Sequence, residues 1–198
     1  MPATNRLPRS FYARPTPVVA RALLGQRLVR VLEGRRLAGR IVEAEAYTGS
    51  DDLASHARRG RTSRNAPMFD GPPGGVYVYF IYGVHWMFNV VAHQSPPGAV
   101  LVRALAPLEG LHIMRAQRGG RPEHLLTNGP ARLAQALGID KSLNGVDLVT
   151  HPHIFVEAGT PPPDQAIACG PRVGVSGDEL ARTRPWRFWV RDDPFVSR

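Results

Sequence analysis

The sequence predicts an α+β fold, and three observations carry that prediction. Apolar runs of strand character and helical character are mixed without the regular strand–helix–strand alternation of a doubly wound sheet. The 198 residues are 43% hydrophobic, enough for one sizeable core and too apolar for a disordered chain. No internal repeat or linker interrupts them. Pro161-Pro162-Pro163 reads as a surface loop, so residues 1–198 are expected to form a single domain.

The elements follow in order. Pro15 to Gly25 reads as a first helix, with Thr16 as cap, Pro17 in the first turn and Gly25 just past the end. Arg27 to Leu32 and Leu37 to Tyr47 read as a hairpin turning at Glu33-Gly34. Thr48 to Gly75 is polar and rich in Gly, Pro and Arg, a long loop with one helical turn. Val76 to Tyr82 (VYVYFIY) is β-branched and aromatic, the clearest strand of the chain. Val84 to Ala92 and Ala99 to Leu105 follow as strands, the second buried. Leu108 to Arg118 has helical spacing, with Leu108, Leu111, Ile113 and Met114 inward. Asn128 is placed to cap a helix over Gly129 to Leu137, ended by Gly138. His153 to Glu157, Arg172 to Val175 and Arg187 to Val190 complete the set as short strands.

Composition narrows the function classes. The net charge is +9, which favours a polyanionic partner, and nucleic acid is the commonest one inside cells. Lys141 is the only lysine among 25 basic residues. Codon bias accounts for the arginine preference but not for the excess of positive charge. No apolar run approaches the roughly 18 residues of a membrane span, and the N-terminal MPATNRLPRSFYARP lacks the apolar stretch of a secretory signal. Cys169 is the lone cysteine, which rules out an internal disulfide and a cysteine-based zinc site. A cytoplasmic location is expected.

Three groups of residues carry chemistry. Four of the five tyrosines lie between positions 47 and 82. Tyr77 and Tyr79 share one strand face; Tyr77 reads as core, whereas Tyr82, beside Gly83 at the strand tip, is placed to project outward. Arg58, Arg59, Arg61 and Arg64 crowd the loop after His56. Such a run is often just a solvated loop, but beside exposed aromatics it also fits phosphate neutralisation with base stacking. Glu43 and Glu45 lie on one face of an apolar strand, where a carboxylate needs a partner or a cleft. The pattern divides them evenly between a salt bridge and a general base.

Longer segments add a resemblance. RIVEAEAYTGSDDLASHARRGRTSRNAPMF, GGVYVYFIYGVHWMFNV, GAVLVRALAPLEGL, NGPARLAQALGI, NGVDL, PRVGVSG and RFWVRDDPFVS resemble, in the same order, the alkyladenine (N-methylpurine) DNA glycosylase family. The resemblance runs from about Leu7 to Ser197. It is specific as a combination, though each motif alone is weak. It implies a compact mixed domain with a curved antiparallel sheet and a few helices. It also implies a monomeric enzyme that flips damaged purines out of double-stranded DNA and hydrolyses the glycosidic bond, without metal or other cofactor. Glu45 matches the family's general base and Arg103 its partner in holding the attacking water. Tyr47, His56 and Tyr79 match the walls of the base pocket, where electron-rich rings attract a cationic alkylated base. Asn89 matches the side chain that crowds the amino group of normal guanine, and Leu101 a further pocket residue. Tyr82 matches the wedge that fills the gap left by the flipped nucleotide.

Departures and rival readings stand beside this. His85 and Trp86 occupy positions where the family varies, beside the groove that Tyr82 would enter. The stretch between Asn89 and Arg103 is a residue longer than the family pattern. The chain carries almost no N-terminal extension, as expected of a minimal catalytic domain. A bifunctional glycosylase/lyase would need an amine nucleophile, for which Lys141 and Pro2 are the candidates. A non-catalytic nucleic-acid-binding module would need the arginines and aromatics but not Glu45. A metal site would draw on His151 and His153, or on His56 with Asp51 and Asp52, but no ligand motif accompanies them.

Overall fold

Alternation of apolar side chains draws much of the chain into antiparallel strands; α2 and α5 cover one face of them and α3 packs on the other. The computed structural model describes residues 5–93 and 95–197; Pro2 lies outside these. Among the described residues the helices are α1 (Arg9–Tyr12), α2 (Thr16–Ala22), α3 (Ala66–Asp70), α4 (Leu111–Gln117), α5 (Pro130–Ala136) and α6 (Glu179–Thr183). The strands are β1 (Arg27–Leu32), β2 (Arg35–Thr48), β3 (Val76–Ile81), β4 (His85–Val91), β5 (Gly98–Glu109), β6 (Ile154–Glu157), β7 (Ile167–Gly170) and β8 (Arg187–Val190). They form one antiparallel sheet in the order β3-β4-β5-β2-β1-β6, with β8 joined to β2 and β7 to β8. This is the α+β architecture that the sequence predicts.

The long strand β2 organises the sheet. Arg35–Arg40 pairs with β1, Glu43–Glu45 pairs with β8, and β5 runs along the other edge. Register shifts at Ala38/Gly39 and on both sides of Glu43 interrupt the β2–β5 ladder. Such bulges bend a strand and increase its twist, so the sheet curves where the two glutamates sit.

Period 2 then separates two faces. Ala44, Ala46, Val78, Phe88, Val100 and Val102 point into the main core, shared with Val19 and Ala20 of α2, Leu23 just after it, and Leu133 of α5. The intervening residues of the same strands point to the opposite face, where the candidate site lies. No helix among the described residues is long and apolar enough to cross a membrane.

Several elements differ from expectation for local reasons. Thr16 is the first residue of α2 rather than its cap; the helix is preceded by Pro15, and the Thr16 hydroxyl donates to the Ala92 carbonyl at 3.1 Å. α5 likewise starts after Gly129, while Asn128 accepts from Arg132 at 2.8 Å. The β5 strand continues to Glu109, leaving Leu108 exposed, and left-handed Gly110 turns the chain into α4. Arg172 to Val175 is a turn, not a strand. The loop after β2 holds α3 and a 3-10 turn over His56–Arg59 capped by Ser55, not one helical turn. α1, β7 and α6 are too short for a periodic pattern to reveal them.

Candidate active site

One row of side chains crosses four strands. The register sets Tyr77 opposite Asn89, Asn89 opposite Leu101, and Leu101 opposite Glu45. Directly opposed residues of antiparallel strands share a face. Tyr79 and Arg103 lie two positions further along β3 and β5, and Tyr47 two further along β2, on the same face. All of these except Glu45 line a cavity of about 370 Å³, to which the loop after β2 contributes His56 and the turn after β7 contributes Val173. A space of this size suits one small planar molecule.

The aromatic wall is interlocked. His56 packs edge-on to Tyr79, with ring centroids 4.6 Å apart, and its Nδ1 shares a 2.8 Å hydrogen bond with the Tyr77 hydroxyl. Asn89 is buried and donates from Nδ2 to the Tyr77 carbonyl at 3.0 Å. Desolvation, followed by the charges of Arg64 and Arg58, pulls the His56 pKa down to about 4, so the ring is neutral near pH 7. Burial pushes Tyr79 up to about 12. Tyr47 is raised well above its ordinary value by burial and then by the Glu45 charge, so it remains a hydroxyl donor.

Beneath the cavity lie two fully buried carboxylates. Glu45 Oε2 accepts from the Tyr47 hydroxyl at 2.7 Å and from Arg103 Nη1 at 3.1 Å; its Oε1 accepts from the Val173 backbone N–H at 2.7 Å. All three donors belong to residues that line the cavity. Glu43 shares Arg103 with Glu45 but has different partners otherwise. Its Oε1 accepts from Arg103 Nε at 3.0 Å, Arg187 Nε at 2.7 Å and the Ser197 hydroxyl at 2.9 Å, and its Oε2 accepts from the Ser197 N–H at 2.7 Å. Burial alone would lower the Arg103 pKa, but the Glu45 and Glu43 charges outweigh it and hold the guanidinium above its usual value. The two glutamates, equivalent in sequence, therefore differ in place: Glu45 borders the cavity lining and Glu43 anchors its support.

The remaining candidates divide. Tyr82 lines the cavity mouth and is 83% exposed, on a left-handed backbone at the tip of the β3–β4 hairpin. His85 is exposed beside it, while Trp86 is half-buried against Phe80, with centroids 4.6 Å apart. Arg58 borders the cavity. Arg59 is exposed, Arg61 is engaged by Asp70, and Arg64 lies over the Tyr79 ring at 5.1 Å. Lys141 is exposed in a 3-10 turn and is not part of the lining. Asp51 and Asp52 pair with Arg184 and Arg172. No group of three potential metal ligands occurs among the described residues.

Sequence reasoning missed the supports: Val173, Arg172, Arg187 and Ser197. Arg172 is buried, pairs with Asp52 at 2.6 and 2.7 Å, and lies 4.7 Å from the Tyr47 ring centroid. The signal was present in the PRVGVSG and RDDPFVS segments. Nothing local in them says that they return to the carboxylates of β2.

Comparison with known proteins agrees in extent and character. The sequence model of the methylpurine-DNA glycosylase family matches residues 10–194. A protein of Myxococcus xanthus named as a 3-methyladenine DNA glycosylase is 49% identical over 98% of this chain and 94% of its own length. Similarly named proteins of Carboxydothermus hydrogenoformans and Methanocella arvoryzae are 45% and 46% identical, each over 97% of this chain and over 98% and 96% of their own lengths.

Proposed function

Because the chain belongs to the methylpurine-DNA glycosylase family, we propose that it is a monofunctional DNA glycosylase. On this reading residues 1–198 act as one catalytic domain and as a monomer. They flip alkylated purines such as 3-methyladenine and 7-methylguanine out of duplex DNA and hydrolyse the N-glycosidic bond, opening base excision repair. Hypoxanthine and ethenoadenine are further candidate lesions. The observation that carries the reading is the placement of Glu45: a buried carboxylate held by three donors that themselves line an aromatic cavity.

The proposed chemistry follows from that placement. Tyr82 fills the gap in the base stack, and the extruded purine enters among Tyr47, His56 and Tyr79. Aromatic faces favour a cationic alkylated base over a neutral one, while Asn89 restricts what fits at the edge. A water held by Glu45 and Arg103 attacks C1′ of the sugar. Its proton passes to Glu45, and the developing oxocarbenium charge is stabilised by the same carboxylate. The glycosidic electron pair moves into the purine, so a cationic base leaves neutral and needs no separate acid. On this reading no amine takes part; Lys141, one of the two candidate amines, is not part of the lining.

Incubation with a duplex containing 7-methylguanine tests the reading. Free base and an intact abasic strand are expected, with no protein–DNA adduct trapped by borohydride. A trapped adduct would establish a lyase instead, and DNA binding without base release would establish a binding module.

A further inference from the structure

The residue that faces Arg103 from the far side of the site belongs to the chain's last described segment. After β8 the chain turns at Asp193, whose carboxylate accepts from the Phe195 N–H at 3.0 Å and from Arg40 Nη2 at 2.8 Å. Phe195 and Val196 pack on Val42, Ala104 and Ala106. That anchorage brings Ser197 under the sheet, beside Glu43. There the Ser197 hydroxyl donates to Glu43 Oε1 at 2.9 Å and accepts from Arg103 Nη2 at 3.3 Å, while the Ser197 N–H donates to Glu43 Oε2 at 2.7 Å. Arg187 Nη2 donates to the Ser197 carbonyl at 3.3 Å.

The consequence concerns the plane of one guanidinium. Arg103 has three nitrogens, and each has a different partner: Nε meets Glu43, Nη1 meets Glu45 and Nη2 meets Ser197. A planar fork held at all three corners has one orientation. Glu43 and Glu45 are both buried and compete for this cation. Ser197 supplies Glu43 with two of its donors and thereby leaves Nη1 to Glu45. Without the hydroxyl, Nη2 loses its partner and Glu43 draws harder on Arg103, because a buried carboxylate demands its hydrogen bonds.

We infer that Ser197 is a positioning residue: it never touches substrate, but it orients Arg103 toward Glu45 and so sets the rate of base excision rather than the affinity for DNA. This rests on the proposed roles of Glu45 and Arg103. The test compares wild type, Ser197→Ala, Ser197→Thr and Glu45→Gln on a duplex carrying 7-methylguanine, with thermal melting of each protein. In Ser197→Ala, kcat is expected to fall about tenfold with KM unchanged, and Ser197→Thr, which keeps the hydroxyl, is expected to restore it. An unchanged kcat in Ser197→Ala would overturn the assignment, as would a loss that Thr does not restore or that appears equally in KM. Full excision by Glu45→Gln would overturn the proposed function itself. Excision lost in Glu45→Gln but normal in Ser197→Ala would overturn the role of Ser197 alone.

Discussion

His56 is a neutral ring in a positively charged setting, and its chemistry follows from that. Desolvation, then Arg64 and Arg58, lower its pKa from 6.5 to about 4. Between those values the unfolded chain binds a proton that the folded chain does not. Its stabilising contribution is therefore complete above pH 6.5 and is lost as the pH falls toward 4. NMR titration of the His56 ring is expected to give a midpoint near 4; a midpoint near 6.5 would mean that the ring is not held against Tyr77 and Tyr79 as described. The residue scale is also where sequence alone was least decisive. Glu43 and Glu45 share a strand, a face and a residue type. What separates them is the Val173 N–H on one and Ser197 on the other, and both donors come from more than 120 positions away.

Elements were more legible than their ends. The β3 strand announced itself in VYVYFIY because β-branched and aromatic residues suit a pleated surface, and the β1–β2 turn in Glu33-Gly34, where both residues adopt left-handed backbone. The caps expected at Thr16 and Asn128 do not form: the Thr16 hydroxyl donates to the distant Ala92 carbonyl, and the Asn128 side chain accepts from the Arg132 guanidinium instead of from a backbone N–H of α5. Arg172 to Val175 resembled a strand, yet the Arg172–Asp52 pair and the Val173 hydrogen bond to Glu45 hold it as a turn. The β3–β4 hairpin yields a prediction of its own. Tyr82 has a φ of 54° and is 83% exposed, so glycine there relieves backbone strain while freeing the unfolded chain, and the two effects offset. Tyr82→Gly is expected to melt within about 0.5 kcal/mol of wild type while excision from duplex DNA falls sharply. Wild-type excision would remove Tyr82 from the proposed wedge role, and a large loss of stability would contradict the offset.

At the scale of the whole molecule, the α+β class was readable from the mixture of patterns, but the strand order was not. Only the pairing β3-β4-β5-β2 puts Tyr77, Asn89, Leu101 and Glu45 in one row. The bulges flanking Glu43 leave no mark in apolar periodicity. Two properties of the molecule are separable here. The net charge of +9 provides a sequence-independent attraction to DNA phosphates, spread over many arginines. On the proposed reading, hydrolysis depends on one buried carboxylate, Glu45. Glu45→Gln keeps the shape of that side chain and the surface charge but removes the proton acceptor. Single-turnover excision and duplex affinity, measured side by side for wild type and Glu45→Gln with a 7-methylguanine substrate, separate the two. Loss of nearly all excision with affinity retained is the expected result; excision by Glu45→Gln at the wild-type rate would contradict the account.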